Sequence, residues 1–214
     1  KKDTMAEIIS SRSQKEETVN ALTHALGVLF SLIALIFILV NPSLSPLKQF
    51  SVLVFLGSML LLYSSSTLYH GIAEPNRKSK VRFFDHISIY FLIAGSYTPF
   101  LLISVGGKLG WWFFGIIWLV ALVGVVYKLF WWKKYPKISL YLYLGMGWVV
   151  LFIVKPLFQS LSLESIIGLI LGGIFYSAGT IFYSMKTKAY SHVIWHIFVL
   201  MGSASHFFAV ADML

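Results

Sequence analysis

Residues 21–40 read ALTHALGVLFSLIALIFILV, twenty positions without an Asp, Glu, Lys or Arg. As a helix rising 1.5 Å per residue, such a stretch covers about 30 Å, the thickness of a bilayer's hydrocarbon core. A water-facing helix keeps one polar face, whereas this stretch offers only Thr23, His24 and Ser31. It predicts a membrane span, and the same pattern recurs down the chain. Further spans are expected at Phe50–Tyr69, Phe83–Ser104, Trp111–Phe130, Ile138–Val154, Leu163–Ser184 and Ser191–Ala211, seven in all, of which the fifth is the shortest. The connections NPSLSP, GIAEPNRKSKVR, VGGKLG, WWKKYPK, KPLFQSLS and MKTKAY are too short for a soluble domain. The fold class is therefore an all-α membrane protein, a seven-transmembrane helix bundle.

Composition points the same way. Hydrophobic residues make up 58% of the chain and charged ones 12%, against roughly 25% charge in soluble domains. With no cysteine, disulfides and thiolate metal ligation are excluded. Residues 1–20 are polar and mixed in charge, unlike a cleavable signal peptide. They are expected to form a cytoplasmic N-terminal segment with a short interfacial helix, opened by a Ser13-x-x-Glu16 capping box. Residues 21–214 form a single seven-helix domain.

Charge placement orients the bundle. Fourteen of the seventeen Lys and Arg fall in the N-terminal segment and in the second-to-third, fourth-to-fifth and sixth-to-seventh connections. Only Lys48, Lys108 and Lys155 fall on the other side. Basic residues are retained in the cytoplasm, so the N-terminus is expected inside and the C-terminus outside, in a cytoplasmic (inner or plasma) membrane. The formal charge of +9 then reflects topology and anionic headgroups rather than nucleic acid. Trp111, Trp112, Trp131 and Trp132 bracket the fourth span as interfacial anchors. Gly168, Gly172, Gly173 and Ser177 suit close helix approach in the sixth, and Pro99 predicts a kink in the third.

Ionisable groups within a membrane are costly and usually functional. Alternating span directions bring His70, at the end of the second span, to the depth of Asp85 at the start of the third and of His192 and His196 at the start of the seventh. His192 and His196, four residues apart, project from one helical face with Cβ atoms about 5–6 Å apart, a spacing that lets two imidazoles share an ion. His70 supplies a third ligand, and three protein ligands plus a water describe a catalytic zinc site. An imidazole set without sulfur favours Zn2+, with Fe(II) as the alternative. Asp85 is placed to hold the water and take its proton, although it could also bind the metal itself. Ser66, four residues before His70, could hydrogen-bond the water or a substrate oxygen. Glu17, Asn20 and His24 share one face at the entry to the first span and read as a structural polar latch. His206 lies about 15 Å along the helix from His196, too far to share its ion, and His86 has no assigned role.

Taken in order, Glu17-x-x-Asn20-x-x-x-His24, Ser66-x-x-x-His70, Asp85, His192-x-x-x-His196 and His206 resemble the progestin and adipoQ receptor family. The small size and the stretch FFDHISIYFLIAGSYTPF, residues 83–100, resemble its bacterial hemolysin III branch. The resemblance implies seven spans, a cytoplasmic N-terminus and a zinc near that face, held by His70, His192 and His196 with Asp85 and Ser66 around its water. It also implies hydrolysis of a lipid amide, as in ceramide-directed enzymes, or a part in membrane homeostasis, with a membrane lipid as acyl-chain substrate. Two other functions compete with the hydrolase. One is a cytolytic, pore-forming hemolysin, which basic loops typical of a resident membrane protein argue against. The other is a membrane sensor or receptor in which zinc only staples helices together.

Overall fold

The computed structural model of the chain describes residues 13–40, 43–132, 134–135, 137–185 and 187–214. Most of the expected N-terminal segment, residues 1–12, lies outside the described residues, as do Lys133 and Lys186 among the basic loop positions. Among the described residues every regular element is helical: α1 Gln14–Leu39, α2 Pro46–Gly71, α3 Pro75–Pro99, α4 Gly107–Phe130, α5 Ile138–Gly147, α6 Val154–Ser160, α7 Leu163–Ser184 and α8 Ser191–Ala211. Six of these, with α3 extended through Val105, are each long and apolar enough to cross a bilayer. The α5–α6 pair makes a seventh crossing when taken as one span bent by 60°.

The first helix shows why lipid is the solvent. Its buried positions, Glu16, Asn20, His24, Gly27, Ser31, Ala34 and Ile38, recur every three or four residues along one face. Leu22, Leu26, Leu29, Ile33 and Ile36 are exposed on the other. This inverts the pattern of a soluble helix, because lipid solvates the leucines while small and polar side chains pack against α2 and α8. The capping box forms: Ser13 Oγ accepts from the Glu16 N–H, and Glu16 Oε2 accepts from the Ser13 N–H, each at 3.2 Å. The helix then runs from Gln14 without interruption into the span.

Several boundaries differ from the sequence reading. The third helix starts at Pro75 rather than near Phe83, because Glu74 accepts from the N–H groups of Asn76 and Arg77 at 2.8 Å each and proline suits the first helical position. Hydropathy alone does not register this charged helical end. It makes Lys78 and Arg82 helical and sets Asp85 well past the helix's first turn. At Pro99, which cannot donate to the carbonyl four residues back, α3 widens into a π-helical turn over Phe100–Val105. That turn closes with the Gly106 N–H on Leu101 O at 2.9 Å.

The fifth crossing differs most. After Gly147 the backbone tightens into a 3-10 turn over Trp148–Phe152, and part of the expected KPLFQSLS loop is helix α6. Pro156 sits in the first turn of α6, where a missing N–H breaks no helical bond. The Tyr97 hydroxyl spans the junction of α5 and the 3-10 turn, donating to Gly147 O at 2.6 Å and accepting from the Val150 N–H at 2.8 Å.

Close approach of α7 and α8 depends on two of the three expected glycines. A Cβ at Gly168 would lie 2.9 Å from that of Ala209, and one at Gly172 only 2.0 Å from the His206 ring. Gly173 has nothing within 4 Å of that position and lines a cavity instead. At the far end of this pair, the hydroxyls of Ser162 and Ser165 both donate to Asp212 Oδ2, the latter at 2.7 Å. These bonds hold that carboxyl below the usual carboxylate range.

Because Tyr97 serves two backbone groups at the start of the 3-10 turn, Tyr97→Phe leaves both without their side-chain partner. A loss of about 1–3 kcal/mol is expected, read as a lowered melting temperature in detergent with helical content retained at low temperature.

Candidate metal centre

The site forms where the start of α1, the end of α2 and the start of α8 meet. Two adjacent carboxylates of α1 divide the work of joining them. Glu16, while capping its own helix, accepts from the backbone N–H of Tyr190, the residue before α8. Glu17 reaches across to α2. Since Tyr190 is in the left-handed region at φ 57°, the chain turns sharply there and enters α8 with His192 in its first turn.

His70, His192 and His196 come together, each with a ring nitrogen within 4.8 Å of the others'. Ring centroids are 5.1 Å apart for His70–His192, 4.9 Å for His70–His196 and 4.6 Å for His192–His196. His70 and His196 are buried and His192 partly so. The cluster can hold a metal ion.

Hydrogen bonds on the outer sides of two rings decide which nitrogens face inward. His196 Nδ1 lies 3.2 Å from Asn20 O and 3.2 Å from Thr23 Oγ1. A carbonyl can only accept, and the threonine proton is engaged with the same carbonyl at 2.8 Å. His196 Nδ1 therefore carries the hydrogen, leaving the Nε2 lone pair for a ligand. His70 Nδ1 meets Glu17 Oε2 at 2.7 Å, again an acceptor, and His70 Nε2 is buried without a hydrogen-bond partner among the described residues. An orphaned lone pair inside a bundle is costly, and a divalent ion satisfies it. The donor set, three imidazoles with two inward nitrogens assigned, fits zinc.

Ser66 and Asp85, expected beside the metal, line the same small void as His24, His192 and His196. Its volume of about 20 Å³ is room for about one water. Ser66 Oγ is buried with no partner among the described residues. Against this void, and sharing Leu62, Ile89, Tyr183, Trp195 and Val199 as wall, lies an apolar cavity of about 320 Å³. The bent fifth crossing forms one side of it. Trp148, Leu151 and Phe158 line the cavity and are also exposed.

The latch residues behave differently from one another. Glu17 bonds His70 and also Lys78 Nζ, at 2.9 Å. The side chains of Asn20 and His24 have no hydrogen-bond partner among the described residues. Asn20 contributes its carbonyl, and His24 stacks on His196 with ring centroids 3.6 Å apart. His206 is outside the cluster: its Nε2 donates to Leu169 O at 3.2 Å, and its ring lies between Phe100 and Tyr176. Sequence reasoning missed Thr23 and Lys78. Thr23 adjoins a singled-out histidine, which was a usable signal, whereas Lys78 was one basic residue in a basic loop.

A family model described as Haemolysin-III related matches residues 12–207. The chain is 48% identical over 198 residues to the Hemolysin-3 homolog of Bacillus subtilis (strain 168), covering 92% of this chain and 93% of that one. It is 42% identical over 200 residues to Hemolysin-3 of Bacillus cereus, covering 92% and 90%. More distantly, it is 32% identical over 157 residues to the human Monocyte to macrophage differentiation factor, covering 70% of this chain and 64% of the other.

Removing a ligand should cost more metal affinity than the about 10–100-fold expected for an outer partner. His192→Ala should therefore leave the purified chain without bound zinc after dialysis, by elemental analysis, while the unsubstituted chain retains about one ion per molecule.

Proposed function

The chain belongs to the haemolysin-III-related family, and we propose that it is a zinc-dependent intramembrane hydrolase acting on a lipid amide or ester. The observation that carries this reading is the abutment of three elements: the histidine cluster, a water-sized void bordered by Asp85 and Ser66, and a large apolar cavity. A purely structural metal would need neither the void nor the cavity.

In this reading His70, His192 and His196 hold the zinc, His70 and His196 through Nε2. Bound zinc supplies Lewis acidity, polarising a carbonyl and bringing a water's pKa down to about 7. Asp85 takes the proton from the attacking water and returns it to the departing nitrogen or oxygen. Ser66, whose hydroxyl has no protein partner among the described residues, donates to the carbonyl oxygen as charge builds on it. The apolar cavity holds the acyl chain and excludes bulk water from the reacting end. Exposed Trp148, Leu151 and Phe158 provide entry from the lipid side. The apolar cavity supports an acyl chain as the substrate's buried part, since ligand pockets of this kind bury apolar groups against apolar walls.

Purified protein in lipid–detergent micelles is expected to release fatty acid from ceramide or a related acyl lipid in a zinc-dependent way, with His196→Ala reducing release to background. Release that survives this substitution rules the reading out. The relatives' name suggests a second reading. Lysis of red cells by externally added protein, with His196→Ala still lytic, would establish the cytolytic function instead.

We also place the site at the cytoplasmic face of a bacterial cytoplasmic membrane, on the strength of the basic connections at that end of the bundle. The chain has no cysteine of its own, so single substitutions report cleanly. Lys80→Cys should react with an impermeant maleimide only after cells are opened, and Lys108→Cys in intact cells; the reverse pattern inverts the topology.

A further inference from the structure

A single carboxylate oxygen joins three helices at the edge of the histidine cluster. Glu17 Oε2, on α1, receives His70 Nδ1 of α2 at 2.7 Å and Lys78 Nζ of α3 at 2.9 Å. Lys78 is buried to 7% exposure, donates also to Ile72 O at 3.3 Å, and lies over the Tyr69 ring at 5.0 Å. A lysine withdrawn this far from water needs a counter-charge, and a half-buried carboxylate needs donors. Each satisfies the other, and the same oxygen also receives a ring nitrogen of His70, a member of the histidine cluster.

We infer that Glu17 is the positioning residue for His70, fixing which ring nitrogen faces the metal, and that Lys78 is the counter-ion that balances Glu17 in place. The inference rests on the metal reading of the cluster. With Nδ1 tied to a carboxylate anchored on another helix, the imidazole can neither flip nor exchange its tautomer, so Nε2 is the nitrogen presented inward. The negative charge behind the ring also makes Nε2 a better electron donor to a cation. His196 receives a weaker version of the same support from the neutral carbonyl of Asn20 and the Thr23 hydroxyl. The two helix-end ligands are thus oriented by adjacent turns of α1, one by charge and one by dipole.

A competing account makes Glu17 only a clip between α1 and the α2–α3 corner. The clip requires the Glu17–Lys78 contact as much as the Glu17–His70 contact; positioning requires the second. Glu17→Gln and Lys78→Met therefore separate them, in the full chain purified in detergent. Three measurements apply: zinc affinity by chelator competition, melting of the metal-free protein, and 15N spectra of ring-labelled histidine in the metal-free protein. Positioning predicts that Glu17→Gln weakens zinc binding about 10–100-fold and removes the His70 Nδ1–H signature, while Lys78→Met lowers the melting temperature and changes affinity far less. Equal losses of affinity in both variants, or an unchanged affinity in Glu17→Gln, overturn the inference. Should Glu17→Gln fail to fold, Glu17→Asp keeps the charge but shortens its reach. Weakened zinc binding in that variant supports positioning, and full affinity overturns it. An unsubstituted chain that takes up no zinc overturns the metal reading, and this inference with it; uptake with unaltered affinity in the Glu17 variants overturns this inference alone.

Discussion

A bilayer offers no hydrogen bonds to a side chain, so any polar group on a spanning helix must find its partner inside the bundle. That constraint organises α1. Its lipid face carries leucine and isoleucine, and its inner face carries Glu16, Glu17, Asn20, Thr23 and His24. Each inner group that is satisfied is satisfied by another helix or by its own backbone. Glu16 ties α1 to the entry of α8, and Glu17 ties it to α2 and α3. The polar contacts that close this end of the bundle are thus the contacts that surround the histidine cluster. Assembly of the helices and assembly of the site are one event.

The same constraint gives meaning to the groups left over. His70 Nε2 and Ser66 Oγ are buried without partners among the described residues, and Ser66 borders a void of one water's size. In a soluble protein such atoms would be met by penetrating water. In the proposed reading an ion and a water would complete them, and the polar pocket sits against a cavity that is almost wholly apolar. In the proposed reading, a polar pocket at the wall of a hydrophobic cavity would meet an acyl lipid at its head while its tail stays out of water. The bent fifth crossing lines one side of that cavity, and Tyr97 serves two backbone groups where α5 passes into the 3-10 turn.

Much of this was legible along the chain. Hydropathy located the crossings because desolvation of twenty residues is a local property of composition, and the sixth and seventh expected spans coincide with α7 and α8. The histidine trio was legible because alternation of span direction converts sequence position into depth, which brought His70 level with His192 and His196. Boundaries failed where the helix outlasts the lipid, as at Pro75, since a charged helical end looks like a loop to a hydropathy reading. The fifth crossing failed because a 3-10 turn and a proline in a first turn leave composition unchanged while redirecting the backbone.

What the sequence by itself determined is the class of solvent, the crossings and which ionisable side chains share a depth, all consequences of composition and helical rise. Only the tertiary structure decided which of those side chains touch. Glu17 and Lys78 stand 61 positions apart, and Thr23 and His196 stand 173 apart. No periodicity links such pairs, because their meeting depends on how whole helices rotate about their axes as they pack. Rotation turned Glu17 toward a histidine, faced Gly173 into open space, and left Asn20 to act through its carbonyl instead of its amide. Depth is written in the chain; azimuth is settled by packing.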